Sequence, residues 1–295
     1  MQKKVIVFGG SGFLGAYVVN ELVNRGYKVA VADLKPSPFY NPDLFVACDI
    51  MDAGKVNTII DDETDIVYNF AGFANLDKAV ELPVETLNLN VIGNANILEA
   101  ARQKQIERYV FASSSYALSD KGSFYGISKM VSEKVIEEYY RQFGLRYTVI
   151  RYGSVYSERE FENNYIYNLI KSAIKTNRIS HDGDGEEVRE YIHASDAAVL
   201  SVDILEDTKF ENEHIILTGF ERMKRKELFE MIKEIINTDL TIELKNDGYQ
   251  HHYKLSPYSH HPNASKKLIS NPFIDIGQGI LECIKEVRSK LETEE

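Results

Sequence analysis

Two groups of residues in this chain have the types and spacing to do chemistry. In SSSYALSDKGSFYGISK, residues 113–129, Tyr125 and Lys129 stand four apart at the start of a helical pattern, so both project from one face. An ammonium beside a phenol stabilises the phenolate and brings it towards the working range of a general base. Such a phenolate takes a proton from a hydroxyl while hydride leaves the same carbon for a nicotinamide. Ser114, at the end of the preceding β-rich run, can hold that hydroxyl in line. The bland alternative is an ordinary Tyr/Lys pair on a helix, because Y-x-x-x-K alone is common by chance.

The second group gives the first its weight. VFGGSGFLG carries Gly9, Gly10, Gly12 and Gly15 between a β-rich run and a helical one. Glycine permits the tight turn and lets backbone approach a pyrophosphate, whose charge then meets the free N–H groups of a helix N-terminus. Asp33 ends the second β-rich run, eighteen residues past Gly15. A carboxylate there accepts hydrogen bonds from adenosine ribose hydroxyls and repels a 2′-phosphate, which favours NAD over NADP. Lys35 is the nearby feature that points the other way.

Other chemistry-bearing types are less ordered. His251, His252, His260 and His261 flank YKLSPYS, but no carboxylate or cysteine completes a ligand spacing, so no metal is expected. The tyrosines among them, Tyr249, Tyr253 and Tyr258, suit either stacking on a ligand or packing of a small lobe. Cys48 and Cys283 lie far apart and read as two reduced thiols.

The elements that must position these residues alternate. KVIVFG, KVAVAD, FVACDI, DIVYNFAG, RYVFASSS and RYTVIRYG are β-rich, with helical patterns over 13–26, 53–60, 75–103 and 124–143 between them. Apolar strands alternating with helices imply a Rossmann-type α/β fold, a doubly wound parallel sheet covered on both faces. After about residue 156 the rhythm loosens. We expect residues 1–155 plus about 194–217 to form the dinucleotide-binding domain. A smaller C-terminal α/β lobe is expected from about 156–193 and 218–295, with a cleft between the two. The 295 residues carry a net charge of −11, so nucleic acid and anionic membranes are poor partners, and an anionic ligand needs a few placed cations. MQKKVIVFGG lacks the apolar core of a signal peptide and no run spans a bilayer, so a cytoplasmic protein is expected.

The motifs together resemble the extended short-chain dehydrogenase/reductases and, within them, the NAD-dependent nucleotide-sugar epimerase/dehydratase family, from Val5 to about Ala197. GGSGFLG is similar to its phosphate loop, which implies Gly9, Gly12, Phe13, Leu14 and Gly15 at the cofactor. CDI implies adenine contacts from Asp49 and Ile50. NFAGFA resembles the turn under the cofactor, with Phe70, Ala71 and Gly72. NLNVIGNANILEAAR resembles the helix whose Asn, here Asn90, faces the sheet near the cofactor. FASSSYALS implies Ser114 as the catalytic hydroxyl, with Ser115 beside it at the substrate. RYGSVYSER adds Tyr152 to the cofactor set and Ser154 and Arg159 to the substrate set. GDGEEVREYIHASDAA implies that Arg189 grips a nucleotide diphosphate, a role that suits a guanidinium fork.

Departures bear on the activity. Family members that dehydrate a sugar carry Asp-Glu after the catalytic hydroxyl, where this chain has Ser115 and Tyr116. Ser154 replaces the usual Asn, and Ser157-Glu158 replaces Gly-Pro. The link from Ser114 to Tyr125 is short, so other residues must close the pocket; the stretch 249–261 is the expected cover. The resemblance implies an NAD-dependent epimerase acting at C4 of a nucleoside-diphosphate sugar, and a homodimer built on helices near 86–103 and 126–143. Two alternatives remain open: a keto-sugar reductase or dehydrogenase, and an idle NAD-binding regulator.

Overall fold

The computed structural model describes residues 2–245, 252–259, 266–269 and 274–294. His251, His260, His261 and Tyr249 lie outside these residues. The strands are β1 (Lys4–Phe8), β2 (Lys28–Asp33), β3 (Phe45–Ala47), β4 (Thr64–Asn69), β5 (Arg108–Ser114), β6 (Tyr147–Tyr152), β7 (Ser154–Tyr156), β8 (Arg178–His181), β9 (Val188–His193), β10 (Glu213–Thr218), β11 (Arg222–Lys224), β12 (Thr241–Leu244) and β13 (Lys266–Ile269). Eight of them form one parallel sheet in the order β13-β10-β6-β5-β4-β1-β2-β3.

The sheet is apolar on both faces because its strands alternate between two cores. Val5 and Val7 of β1 pack with Val18, Leu22 and Val202 from helices Phe13–Asn24 and Ala194–Asp203. Ile6 and Phe8, between them, pack with Ile97, Leu98 and Ile136 from helices Asn94–Gln103 and Ser123–Phe143. Each such side chain contributes about 1.5–3 kcal/mol by leaving water. A third core joins helices Tyr165–Thr176, Arg225–Ile236 and Ile276–Glu294 through Ile170, Phe229, Ile232 and Ile284. It carries two small sheets, β11-β9-β7 and β12-β8.

Two expectations change. The helical pattern over 75–103 is broken into Leu76–Glu81, Pro83–Leu87, a π-helical turn Asn88–Gly93 and Asn94–Gln103. Pro83 removes a backbone donor and restarts the helix. Strand β13 falls within the segment assigned to the smaller lobe, yet it pairs with β10 at the edge of the main sheet. Among the described residues no helix is long and apolar enough to cross a membrane.

Candidate active site

The glycine loop connects β1 to helix Phe13–Asn24 and is tight for steric reasons. Gly9 has φ +73°, and a Cβ on it would lie 2.3 Å from the Ala71 amide nitrogen; one on Gly15 would lie 2.3 Å from the Gly9 carbonyl oxygen. Gly12 is the N-cap of the helix and offers no side-chain cap, so the first-turn amides around Phe13 and Leu14 are available to a ligand. Beside the loop lies a groove of about 420 Å³ lined by Gly9, Gly12, Asp33, Asp49, Ile50, Phe70, Ala71 and Gly72, with Ser11, Lys35 and Leu89. The Asp33 carboxylate accepts the amides of Ser11 at 2.9 Å and Leu34 at 2.7 Å. Burial pushes its carboxyl above the usual range, and the Ser11 and Leu34 hydrogen bonds oppose that shift.

Asn90 does not line the groove. Its side chain accepts the Phe73 amide at 2.6 Å and donates to the Phe73 carbonyl at 3.0 Å and the Ser128 hydroxyl at 2.8 Å. It ties the turn after Gly72 to the helix bearing Tyr125 and Lys129. Its π-helical turn widens the helix at that position, a feature that recurs at functional sites.

Ser114, at the end of β5, accepts the Tyr116 amide at 3.3 Å and reaches the Tyr125 phenol. Lys129 lies under both aromatic rings, with Nζ 4.8 Å from the Phe111 centroid and 5.9 Å from that of Tyr125, and donates to the Ala112 carbonyl at 2.8 Å. Burial pulls the Lys129 ammonium down to about 8, against the opposing carboxylate of Glu133 one turn along the helix. Burial pushes the Tyr125 phenol up and the Ser114 hydrogen bond lowers it. The lowering expected from Lys129 is not among the influences on Tyr125, where burial is the largest and Ser114 the one that opposes it.

A second cleft, of about 410 Å³, opens at Ser114. Ser114, Tyr116, Tyr152, Ser154, Arg189, Arg225, His252 and Tyr253 line it, together with Tyr165, Asn168, His181 and Asp77. Tyr152 is also where cleft and groove meet, its ring 6.2 Å from that of Phe70; its hydroxyl bonds Ser201 at 2.7 Å. Arg189 is 2% exposed, stacks 4.1 Å from the Tyr253 ring and donates Nη1 to its neighbour's carbonyl. Its Nη2 is buried with no hydrogen-bond partner among the described residues. A buried guanidinium with an idle donor is costly unless an anion completes it, so the donor set fits a phosphate or carboxylate.

Two residues predicted for the substrate set stand elsewhere. Ser115 is 1% exposed and spends its hydroxyl on the Tyr152 carbonyl at 3.0 Å. β5 ends at Ser114 and Ser115 opens a turn of 3-10 helix, Ser115–Leu118, where its hydroxyl is held by that carbonyl and not by the cleft. Arg159 stacks on Tyr17 at 4.0 Å and Phe39 at 4.8 Å, beside the first helix. Glu158, where the family carries proline, bonds Tyr17 at 2.9 Å and His193 at 3.0 Å, which ties this corner together. Arg225, by contrast, was not anticipated. It is buried, opens helix Arg225–Ile236 and stacks 4.0 Å from Tyr165 in the cleft. Among the described residues no group of histidine, cysteine and carboxylates can hold a metal ion.

The model of the NAD dependent epimerase/dehydratase family matches residues 5–219. The chain belongs to that family. A Methanocaldococcus jannaschii protein assigned as a UDP-glucose 4-epimerase is 30% identical over 253 residues, covering 79% of this chain and 82% of the relative. The UDP-glucose 4-epimerase of Lactobacillus helveticus is 30% identical over 232 residues, 65% of this chain and 69% of that one. Among solved structures, the UDP-N-acetylglucosamine 4-epimerase of Methanobrevibacter ruminantium shares the fold with a TM-score of 0.83 at 24% identity, over 98% of this chain and 99% of its own. The family's cofactor is NAD, and the groove fits it: a backbone cradle that any Cβ would fill, an uncapped helix N-terminus for the pyrophosphate and a carboxylate, Asp33, for a ribose.

Proposed function

We propose that this protein inverts C4 of a nucleoside-diphosphate sugar by transient oxidation. The observation that carries the reading is that Ser114, which lines the same cleft as Arg189, reaches the Tyr125 phenol with Lys129 beside that ring, while Tyr152 of the cleft packs near Phe70 of the dinucleotide groove. NAD, when bound along Gly9, Gly12, Asp33, Asp49, Ile50 and Phe70 to Gly72, supplies a reversible hydride acceptor at the sugar carbon. Tyr125 takes the C4 hydroxyl proton and later returns it, and Ser114 holds that hydroxyl in line. Lys129, charged below about pH 8, stabilises the phenolate and holds the nicotinamide ribose. Arg189 and Arg225 anchor the diphosphate, so the hexose can turn over between the two halves of the reaction. Ser115 and Tyr116 stand where members that dehydrate a sugar carry Asp-Glu, which disfavours a 4,6-dehydratase.

UDP is the first nucleotide to test, because two of the three proteins named above are assigned to UDP-glucose and the third to UDP-N-acetylglucosamine. Incubation with UDP-, GDP-, CDP- and dTDP-hexoses, read by NMR, is expected to give one pair of C4 epimers at equilibrium without net change in the nicotinamide band. Stoichiometric consumption of NADH or NADPH with a keto-sugar would instead make the chain a reductase. We also read it as a cytoplasmic homodimer. Both cysteines are free and buried, and Val84, Ile92, Ile127 and Met130 are 44–69% exposed on the helices around 83–93 and 123–143. Burying such a face in a second copy removes apolar surface from water. Sedimentation equilibrium reads the mass directly.

A further inference from the structure

The cleft holds a second pair of titratable groups that the hydride chemistry leaves unused. Tyr116 follows Ser114 by two residues, and its hydroxyl lies 2.8 Å from Nδ1 of His252. Nε2 of His252 faces Oδ1 of Asp77 at 3.6 Å. Residues remote in the chain thus meet in one line, and all three border the cleft. The Tyr116 ring is fixed in place. It crosses the Tyr125 ring edge to face at 6.3 Å and packs 4.7 Å from Tyr253. A Cβ on Gly122, which has φ +92°, would lie 2.7 Å from Cδ1 of Tyr116. The short loop before the Tyr125 helix is therefore shaped around this ring.

The surroundings set the roles. The Asp77 carboxylate favours the proton on Nε2, which leaves Nδ1 as an acceptor for the Tyr116 hydroxyl. Burial, with the guanidiniums of Arg225 and Arg189, pulls the imidazole down to about 4 against the opposing charge of Asp77, so it is neutral at pH 7. Burial is the largest of these influences, and an anion seated on the two arginines removes their part of the lowering. Asp77 is 80% exposed, which connects the line to water.

We propose that Tyr116 and His252 form a second acid–base pair, which removes and returns the proton on the ring carbon next to C4 while C4 is a ketone. This rests on the C4 reading above, which supplies the ketone. The Tyr116 proton passes to Nδ1 of His252, and the phenolate oxygen takes the C–H proton. The C–H electron pair becomes the carbon–carbon double bond of an enolate, and the C4 carbonyl pair moves onto oxygen beside Ser114 and Tyr125. Reversal returns a proton to the same carbon, with no oxidant beyond the one that made the ketone. The Tyr116 and Tyr125 rings are neighbours in an edge-to-face pair, and in this proposal a carbon adjacent to C4 stands at Tyr116 when the C4 hydroxyl is at Tyr125. The enzyme thus exchanges the hydrogen at C3 or C5 with water, a carbon-acid activity additional to inversion at C4.

The test is incubation of the NAD-loaded protein in D2O with the sugar nucleotide whose C4 epimers it interconverts, with deuterium located by NMR. Deuterium is expected at C3 or C5, and the ratio of exchange to C4 interconversion is expected to fall about a hundredfold in Tyr116→Phe and in His252→Asn. The second variant lies outside the loop that packs the tyrosine, so it serves if the first does not fold. Interconversion at C4 with no deuterium at either carbon overturns the pair and leaves the C4 reading intact. Exchange at the wild-type ratio in both variants also overturns it, since another base would then be acting. Failure to interconvert any C4 epimers removes both readings together.

Discussion

The groove and the cleft meet at Phe70 and Tyr152, yet they are made of different material. The groove is chiefly backbone: Gly9, Gly12, Ala71 and Gly72 line it, and at Gly9 and Gly72 the close approach of neighbouring atoms excludes a Cβ. The cleft is chiefly side chain: Arg189, Arg225, Tyr253 and His252 reach into it from segments far apart in the chain. A ligand held by backbone is common to every member of a family. A ligand held by side chains can change with a handful of substitutions. The difference explains why the cofactor is assigned with ease and the sugar is not.

Perturbing each region should therefore have a different signature. The largest effect is expected at their junction. Tyr125→Phe removes the proton acceptor and should lower kcat about a thousandfold with the nucleotide sugar still bound, as read by turnover against binding calorimetry. Within the cleft, Arg189→Leu should raise KM about 10–100-fold with a smaller change in kcat, since charged hydrogen bonds contribute about 1.5–3 kcal/mol. Equal losses in kcat and kcat/KM would move Arg189 from anchoring to chemistry. In the groove, Gly9→Ala places a Cβ against the Ala71 amide at a positive φ. It should cost about 1–3 kcal/mol and strip NAD from the purified protein, as followed by melting temperature and cofactor content. A variant that retained its cofactor would show that the cradle is less tight than its geometry.

The pH profile is the gentlest probe. Lys129 is held at about 8 by burial, so it is charged below that pH and loses its charge as pH rises through it. If that charge stabilises the Tyr125 phenolate, kcat should decline above about pH 8. A rate flat to pH 10 would separate Lys129 from the proton transfer.

The same contrast governs what could be read in the sequence. The groove was legible because backbone requirements leave a mark: glycine spacing, and an acid at the end of β2. So was the parallel sheet, from strands too apolar to face water. The cleft was legible only where a motif marks it, at Ser114, Ser154 and Arg189. Arg225 sits in RMKRKELFE, where nothing distinguishes the one cation that turns inward. The contacts of Ser115, which opens a 3-10 turn and bonds the Tyr152 carbonyl, and of Arg159, which stacks on Tyr17 and Phe39, carry no mark in the sequence. Strand β13, KKLI, is too short and charged to announce itself. The expected cover over the cleft came partly into view, as His252 and Tyr253 line it, while the rest of 249–261 includes residues outside those described.

The central claim is that C4 is oxidised and reduced at one site by one cofactor. A nucleotide hexose carrying deuterium at C4 tests it most directly. The account predicts that the inverted product keeps the label at C4 in full, with none in water and no net NADH. Label lost to solvent, or accumulating in free reduced nicotinamide, would contradict it.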